Sequence, residues 1–207
     1  MATRPSGAVI TANGLLNVMF WGGLLFGVLA IASVVVGVVT GGESLLHGDR
    51  LMVPLELNPR DAGPLPDELT FRGWPDVSAI VQNPTTEQML LMSATDFGTL
   101  ALFIAGVWLL RGFGRSVEEG DPFGASNVMR LRRLGFVLAA GAPLVELLNT
   151  ALRKGLYDKL PPVGGADVGV PGFTLPLGAM LGGLAAFILA QVFAYGTQLR
   201  EDVEGTV

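Results

Sequence analysis

Between Leu15 and Thr40 the chain runs for 26 residues without one charged side chain. As a helix that run is ~39 Å long, more than the ~30 Å hydrocarbon thickness of a bilayer. Its only strongly polar members are Asn17, Ser33 and Thr40. A soluble core helix of that length would need a wet face, so the segment is expected to span a membrane. Ala30 and Ala32 form a small-x-small pattern that would suit signal cleavage. The apolar run continues beyond it through Thr40, with only Arg4 ahead of it, so a retained span is expected.

Three further apolar stretches follow. The expected architecture is an all-α membrane protein, one domain over residues 1–207, with four transmembrane helices at about 15–40, 89–110, 134–152 and 177–195. Pro143 and Glu146 interrupt the third stretch. Composition agrees: half of the residues are hydrophobic, 15% are charged, and mean hydropathy is +0.54. A soluble domain carries roughly 25% charged residues.

The chain has no cysteine, and His47 is its single histidine. Disulfide frameworks, Cys/His zinc sites, cysteine nucleophiles and most Ser-His-Asp arrangements are thereby removed. The net charge of −5 argues against direct nucleic-acid binding. The chain is expected to be neither an enzyme nor a metal or cofactor carrier.

Four spans place both termini on one side. The segment 111–133 carries Arg111, Arg115, Arg130, Arg132 and Arg133, and the shorter third loop carries Arg153, Lys154 and Lys159. The long segment 41–88 has three arginines against eight carboxylates, and its length lets it translocate regardless of charge. The positive-inside balance therefore puts residues 111–133, the 196–207 tail and both termini in the cytoplasm, and 41–88 outside.

In the outer loop, "LMVPLEL" alternates Leu51, Val53, Leu55 and Leu57, a strand pattern in which Pro54 favours an edge. "ELTFRGW", "VSAIVQ" and, in the third loop, "VGVPGFTL" are further strand candidates. A small β-rich extracytoplasmic cap from loops 1 and 3 is expected. "NPTTEQML" restarts helix, with Asn83 or a threonine as N-cap and Pro84 in the first turn.

In the inner loop Asp121 and Pro122 suit an N-cap and first-turn pair. A helix continuing from there sets Val128, Leu131 and Leu134 on one face. Arg130 and Arg133 share another, flanked by Arg132. This reads as a short amphipathic helix lying at the membrane surface before the chain turns into the third span. Its arginines suit anchoring to anionic lipid, and they equally suit docking of a carboxylate-bearing protein.

The run "DPFGASNVMRLRRLG", with the terminal "YGTQLREDVEGTV", resembles the bacterial membrane-protein family called domain of unknown function 2975. The matching positions are Pro122, Phe123, Asn127, Leu131, Arg132 and Arg133. In the tail they are Gln198, Leu199, Arg200, Glu201, Asp202 and the closing Gly205, Thr206 and Val207. The resemblance implies four helices in the bacterial cell membrane, no known catalytic residue, and a cytoplasmic partner: a small helix-turn-helix regulator. On that reading the chain is a non-enzymatic membrane sensor or anchor. Arg130, Arg132 and Arg133 with Arg200, Glu201, Asp202 and Glu204 form its docking surface, and the tail carboxylates are able to latch onto the three arginines.

A rival reading comes from polar groups inside the spans, where ionisable side chains mark function by default. Asp96 and Glu146 fall at similar depths, with Asn149 one turn beyond Glu146. Two neighbouring carboxylates there would hold a proton or a cation, as in a small proton- or cation-coupled transporter. Gly23 and Gly27, and Gly178, Gly182, Ala186 and Ala190, form small-residue stripes for helix packing. Such stripes serve a homo-oligomer or an accessory subunit of a larger membrane complex as well as a bundle.

Overall fold

The computed structural model describes residues 7–40, 50–57, 76–82, 84–160, 168–169 and 172–204. Among the described residues there are five helices: α1 (Gly7–Thr40), α2 (Thr86–Glu118), α3 (Ala125–Phe136), α4 (Ala142–Tyr157) and α5 (Leu177–Glu204). Three short strands lie between them, β1 (Arg50–Leu57), β2 (Asp76–Gln82) and β3 (Val168–Gly169).

Four helices are long and apolar enough to cross a membrane: α1, α2, the combined α3–α4 segment Ala125–Tyr157, and Leu177–Leu199 of α5. At most about a fifth of each apolar window is buried inside the protein (22% for the third). Large side chains such as Leu15, Trp21, Leu25, Phe136, Leu147, Leu181 and Ile188 face outward. So much exposed apolar surface requires an apolar solvent, and the chain is a multi-pass membrane protein.

The chain divides into two compact units. One comprises Met1–Gly27, Gly98–Glu146 and Leu175–Val207; the other comprises Val28–Phe97 and Leu147–Thr174.

In the first unit, α2 ends in a turn that its sequence specifies. Gly120 takes φ +81°, the left-handed conformation open to glycine. Its N–H donates to the Val117 carbonyl at 3.2 Å, and the next N–H, of Asp121, donates to the Ser116 carbonyl at 3.0 Å. This paired closure satisfies two carbonyls left over at the helix end. Residues 121–124 then form a second turn, and α3 starts at Ala125 with Gly124 as its N-cap. The Asp121–Pro122 pair is therefore a turn and not a helix start. Asp–Pro suits both roles, and the left-handed glycine before it decides between them.

Nor does the chain turn between the amphipathic helix and the third span. α3 continues through a π turn (Val137–Gly141) into α4, and the flanking Phe136 and Ala142 keep right-handed helical dihedrals. The wider turn falls just before Pro143. Proline offers no N–H and crowds the carbonyl four residues back, here that of Ala139. The helix thus passes Pro143 without breaking, and Glu146 lies within unbroken helix.

Val128, Leu131 and Leu134 are buried on one face of α3, as the spacing requires. α5 packs here most closely at Gly183. A Cβ on Gly183 would lie 2.6 Å from the Ala139 nitrogen and 2.7 Å from the Gly135 carbonyl oxygen. Gly178 has open space instead, and Gly182 only an ordinary contact with Leu138. The packing stripe on α5 is therefore Gly183, Ala186 and Ala190, shifted by one residue from the spacing based on Gly178 and Gly182. Leu109, Leu134 and Ala186 form the buried cluster beside it. On α1, Gly23 and Gly27 do lie against α2, at Phe103 and Ile104 and at Leu100 respectively.

The second unit holds one antiparallel sheet in the order β2-β1-β3. β1 pairs with β2 along its length from Arg50–Gln82 to Glu56–Asp76, and with β3 only at Glu56 and Leu57. Pro54 stands opposite Ser78 of β2, and among the described residues it lies outside the short stretch of β1 that pairs with β3. Val53 of β1 is fully buried against Leu156 of α4, with Val81, Leu91, Met92, Tyr157 and Leu160 around them. The candidate strand "ELTFRGW" lies outside the described residues.

Also in this unit, Thr85 caps α2 and Pro84 precedes the cap, outside the first turn. The Thr85 N–H donates to Gln88 Oε1 at 2.9 Å and the Gln88 N–H to Thr85 Oγ1 at 3.3 Å. This is a reciprocal capping box. Gln88 Nε2 also donates to the Lys159 carbonyl at 2.9 Å, and Lys159 Nζ pairs with Glu87 at 2.8 Å.

Candidate functional site

The most organised polar cluster in the first unit is the α2–α3 turn, and Asn127 is its centre. Asn127 is completely buried (0% exposed). Its Nδ2 lies within donating distance of three acceptors: Ser116 Oγ at 2.9 Å, the Pro122 carbonyl at 3.0 Å and the Asp121 carbonyl at 3.2 Å. Ser116 Oγ in turn donates to the Asp121 carbonyl at 2.8 Å. The amide thus serves the Pro122 carbonyl and joins Ser116 and the Gly124 N–H at the Asp121 carbonyl, so the turn's acceptors are paired away from water.

Its oxygen does something else. Asn127 Oδ1 accepts from Arg130 Nη1 at 2.8 Å. Arg130 is three residues further along α3, on the same face, and its stem runs over Gly112 of α2. A Cβ on Gly112 would sit 3.0 Å from Arg130 Nε, so glycine leaves the room that the guanidinium occupies. Asn127 and Gly112 together set where Arg130 lies.

The turn is also tied to α5. Thr197 Oγ1 is 2.6 Å from the Phe123 carbonyl and 3.0 Å from that of Phe193. The Phe123 ring packs on Phe193 with centroids 5.1 Å apart, and Phe113 meets Phe193 edge-on at 5.5 Å. Gly196 lets this ring approach, since a Cβ there would collide with Phe123.

Four arginines converge beside the turn. Arg111, Arg115, Arg130 and Arg133, with Gly112, Trp108 and Leu109, line a cavity of about 310 Å³. The Arg111 guanidinium lies over the rings of Phe20 and Trp21, 4.9 and 5.8 Å from their centroids, a cation–π arrangement. Its Nε is buried without a hydrogen-bond partner, as are Asn13 Nδ2 and Asn17 Oδ1 of α1. Among the described residues, none of Arg111, Arg115, Arg130, Arg132 and Arg133 pairs with a carboxylate. A second cavity of about 500 Å³ adjoins the first, sharing Trp108, Leu109 and Arg133. The rest of its wall is Ala105, Phe136, Val137 and Phe187, with Arg132 at its edge.

The three arginines read from the sequence as one docking face are thus placed differently. Arg130 is half-buried and bonded to Asn127, whereas Arg132 and Arg133 are exposed. In the tail, α5 runs on to Glu204 and Asp202 is exposed. The side chains of Arg200, Glu201 and Glu204 lie outside the described residues, and among the described residues no carboxylate pairs with Arg130, Arg132 or Arg133. Asp96, exposed on α2, and Asn149, buried on α4, belong to the second unit; Glu146, half-buried on α4, belongs to the first. Each of these three takes part in a polar interaction. Among the described residues, no three His, Cys, Asp or Glu side chains gather as they would around a metal ion.

Sequence reasoning noted Arg111 and Arg115 only as topological charges. Their four-residue spacing on α2, matched by the three-residue spacing of Arg130 and Arg133, was the available signal for a shared cavity. Asn127 stood in the recognised motif without a role. Thr197 carried no signal, because its partner is 74 residues away.

Residues 65–207 match the model of a family described as "Protein of unknown function (DUF2975)". That stretch contains the turn, all five arginines and the three later spanning helices. No match was found among curated proteins or among solved structures.

Proposed function

The chain belongs to the DUF2975 family, and from that premise we propose that it is a non-enzymatic membrane anchor that recruits a cytoplasmic regulator through its arginine face. The observation that carries this reading is the state of Arg132 and Arg133. Both are exposed, both lie next to apolar surface, and neither is paired with a carboxylate among the described residues. Arginine in that state suits bidentate recognition of an acidic partner. The Asn127-locked turn behind them supplies a rigid base, which lowers the ordering cost of binding. The exposed Asp202 of the tail adds a charge of opposite sign to the same proposed surface.

On this reading both termini and residues 111–133 face the cytoplasm, following the arginine balance of the loops. The three-stranded sheet is then an extracytoplasmic cap, and the protein acts as a sensor where the cap meets a ligand. The regulator is a small helix-turn-helix protein, as the family resemblance implies.

The test is affinity capture from native membranes in mild detergent, comparing wild type with Arg132→Glu/Arg133→Glu. A small DNA-binding protein retained by wild type and lost from the variant, at equal membrane insertion, is the expected result. Equal retention by both would remove the arginines from the interface.

A further inference from the structure

We propose that the arginine-lined cavity and the apolar cavity beside it are one site, which binds an anionic phospholipid. The phosphate sits among Arg111, Arg115, Arg130 and Arg133, and an acyl chain lies along the groove between α2 and α3. This goes beyond the docking reading and does not depend on it.

Three observations point to this occupant. The first is charge. Four guanidinium groups line about 310 Å³, and none of them is paired with a carboxylate among the described residues. Like charges gathered that closely repel unless an anion sits among them. The second is preparation. Arg130 is held by Asn127 and seated in the gap at Gly112, and Arg111 keeps a buried Nε without a partner. Oriented guanidinium groups are the usual means of holding phosphate oxygens.

The third observation separates a lipid from free phosphate or an acidic peptide. The adjoining cavity of about 500 Å³ is apolar, and its wall is continuous with the cationic one through Trp108, Leu109 and Arg133. Along α2 the lining runs from Ala105 through Trp108 to Arg111 and Arg115, ten residues or ~15 Å of helix. Along α3–π turn it runs the opposite way in sequence, from Arg130 and Arg133 to Phe136 and Val137. Both stretches thus grade from apolar to cationic, over ten residues on α2 and seven on α3 and the π turn, in helices long and apolar enough to span the membrane. An amphiphile with an anionic head matches that gradient, whereas inorganic phosphate would leave the apolar half empty. Basic pockets of this kind between spanning helices suit phospholipid headgroups.

The test uses the full chain, delipidated in detergent and returned to bilayers, with Trp108 as reporter after Trp21→Phe and Trp74→Phe. Quenching by phosphatidylglycerol with brominated acyl chains is compared with quenching by the same chains on phosphatidylcholine. The proposal expects at least a ~10-fold preference for phosphatidylglycerol, of the order of one or two charge-assisted contacts. Arg111→Gln/Arg130→Gln is expected to reduce that preference to within about twofold. Arg133→Gln, at an exposed position with little folding risk, is expected to reduce it several-fold. Equal quenching by the two lipids in the wild type, or an unchanged preference in Arg133→Gln, would overturn the proposal. Displacement of phosphatidylglycerol by millimolar inorganic phosphate at constant ionic strength would assign the cavity to free phosphate. A wild type that captures no regulator yet keeps the lipid preference would count against docking alone.

Discussion

Two buried amides, one in each unit, do different work with the same chemistry. Gln88 is 5% exposed and Asn127 is 0% exposed. Both begin a helix, and both donate from the amide nitrogen to backbone carbonyls. They differ in the oxygen. Gln88 gives its oxygen to the Thr85 N–H and so completes a cap. Asn127 gives its oxygen to the Arg130 guanidinium and so positions a charge. A buried amide that serves only backbone is structural; one that also aims a cation beside a cavity has a functional consequence. The contrast separates the α2 entry, which holds the fold, from the α3 entry, which also shapes a site.

The sharpest way to break the comparison is Asn127→Asp. The substitution is isosteric, but it replaces the donor with an oxygen facing two carbonyls and a serine hydroxyl. A loss of about 3 kcal/mol is expected, read from unfolding midpoints in mixed micelles. Stability within about 0.5 kcal/mol of wild type would mean that the amide network does not hold the turn.

Gly183→Ala tests whether α5, which carries Phe193 and Thr197 to the turn, depends on its close approach to α3. With backbone atoms under 3 Å from the new Cβ, a cost of about 1–3 kcal/mol is expected. Gly178→Ala, in open space, is expected to be neutral or stabilising by up to about 1 kcal/mol. Equal effects at the two glycines would contradict the packing described here.

Gln88→Ala removes the cap and the tie to the Lys159 carbonyl, for about 1–2 kcal/mol. Unlike the Asn127 change, it is expected to leave lipid preference and regulator capture as they are. A change in either readout would erase the distinction between the two amides. The smallest effect is expected at the Glu87–Lys159 pair, whose side chains are 65% and 42% exposed. Glu87→Gln should cost less than ~1 kcal/mol, and the loss should vanish in high salt.

The four spans were legible because a bilayer imposes one coarse demand, about 20 apolar residues, and nothing local competes with it. Strand positions at Val53 and in "VSAIVQ" were legible from alternation for a similar reason. Finer features depend on which of two sound local signals wins. Asp121–Pro122 fits a helix start, and the left-handed Gly120 before it overrides that by turning the chain first. Pro143 signals trouble in a helix, and the π turn just before it lets the helix continue instead of breaking. Gly182 and Gly183 are adjacent, so spacing alone could not choose the contacting one; the crossing with Gly135 and Ala139 does. In the site, the Asn127–Arg130 pair is a local i, i+3 relation readable from the chain. The Thr197–Phe123 bond, and the convergence of Arg111 and Arg115 with Arg130 and Arg133, need the fold.

The proposal most directly open to measurement is that residues 111–133 face the cytoplasm, as the loop charges suggest. The natural absence of cysteine makes a direct measurement clean. Ser126→Cys, exposed in the first turn of α3, and Thr174→Cys, exposed just before α5, would each be expressed in intact bacterial cells. Both would then be treated with a membrane-impermeant maleimide. The account predicts labelling of Thr174→Cys in intact cells and of Ser126→Cys only after lysis. Labelling of Ser126→Cys in intact cells, with Thr174→Cys protected, would contradict it.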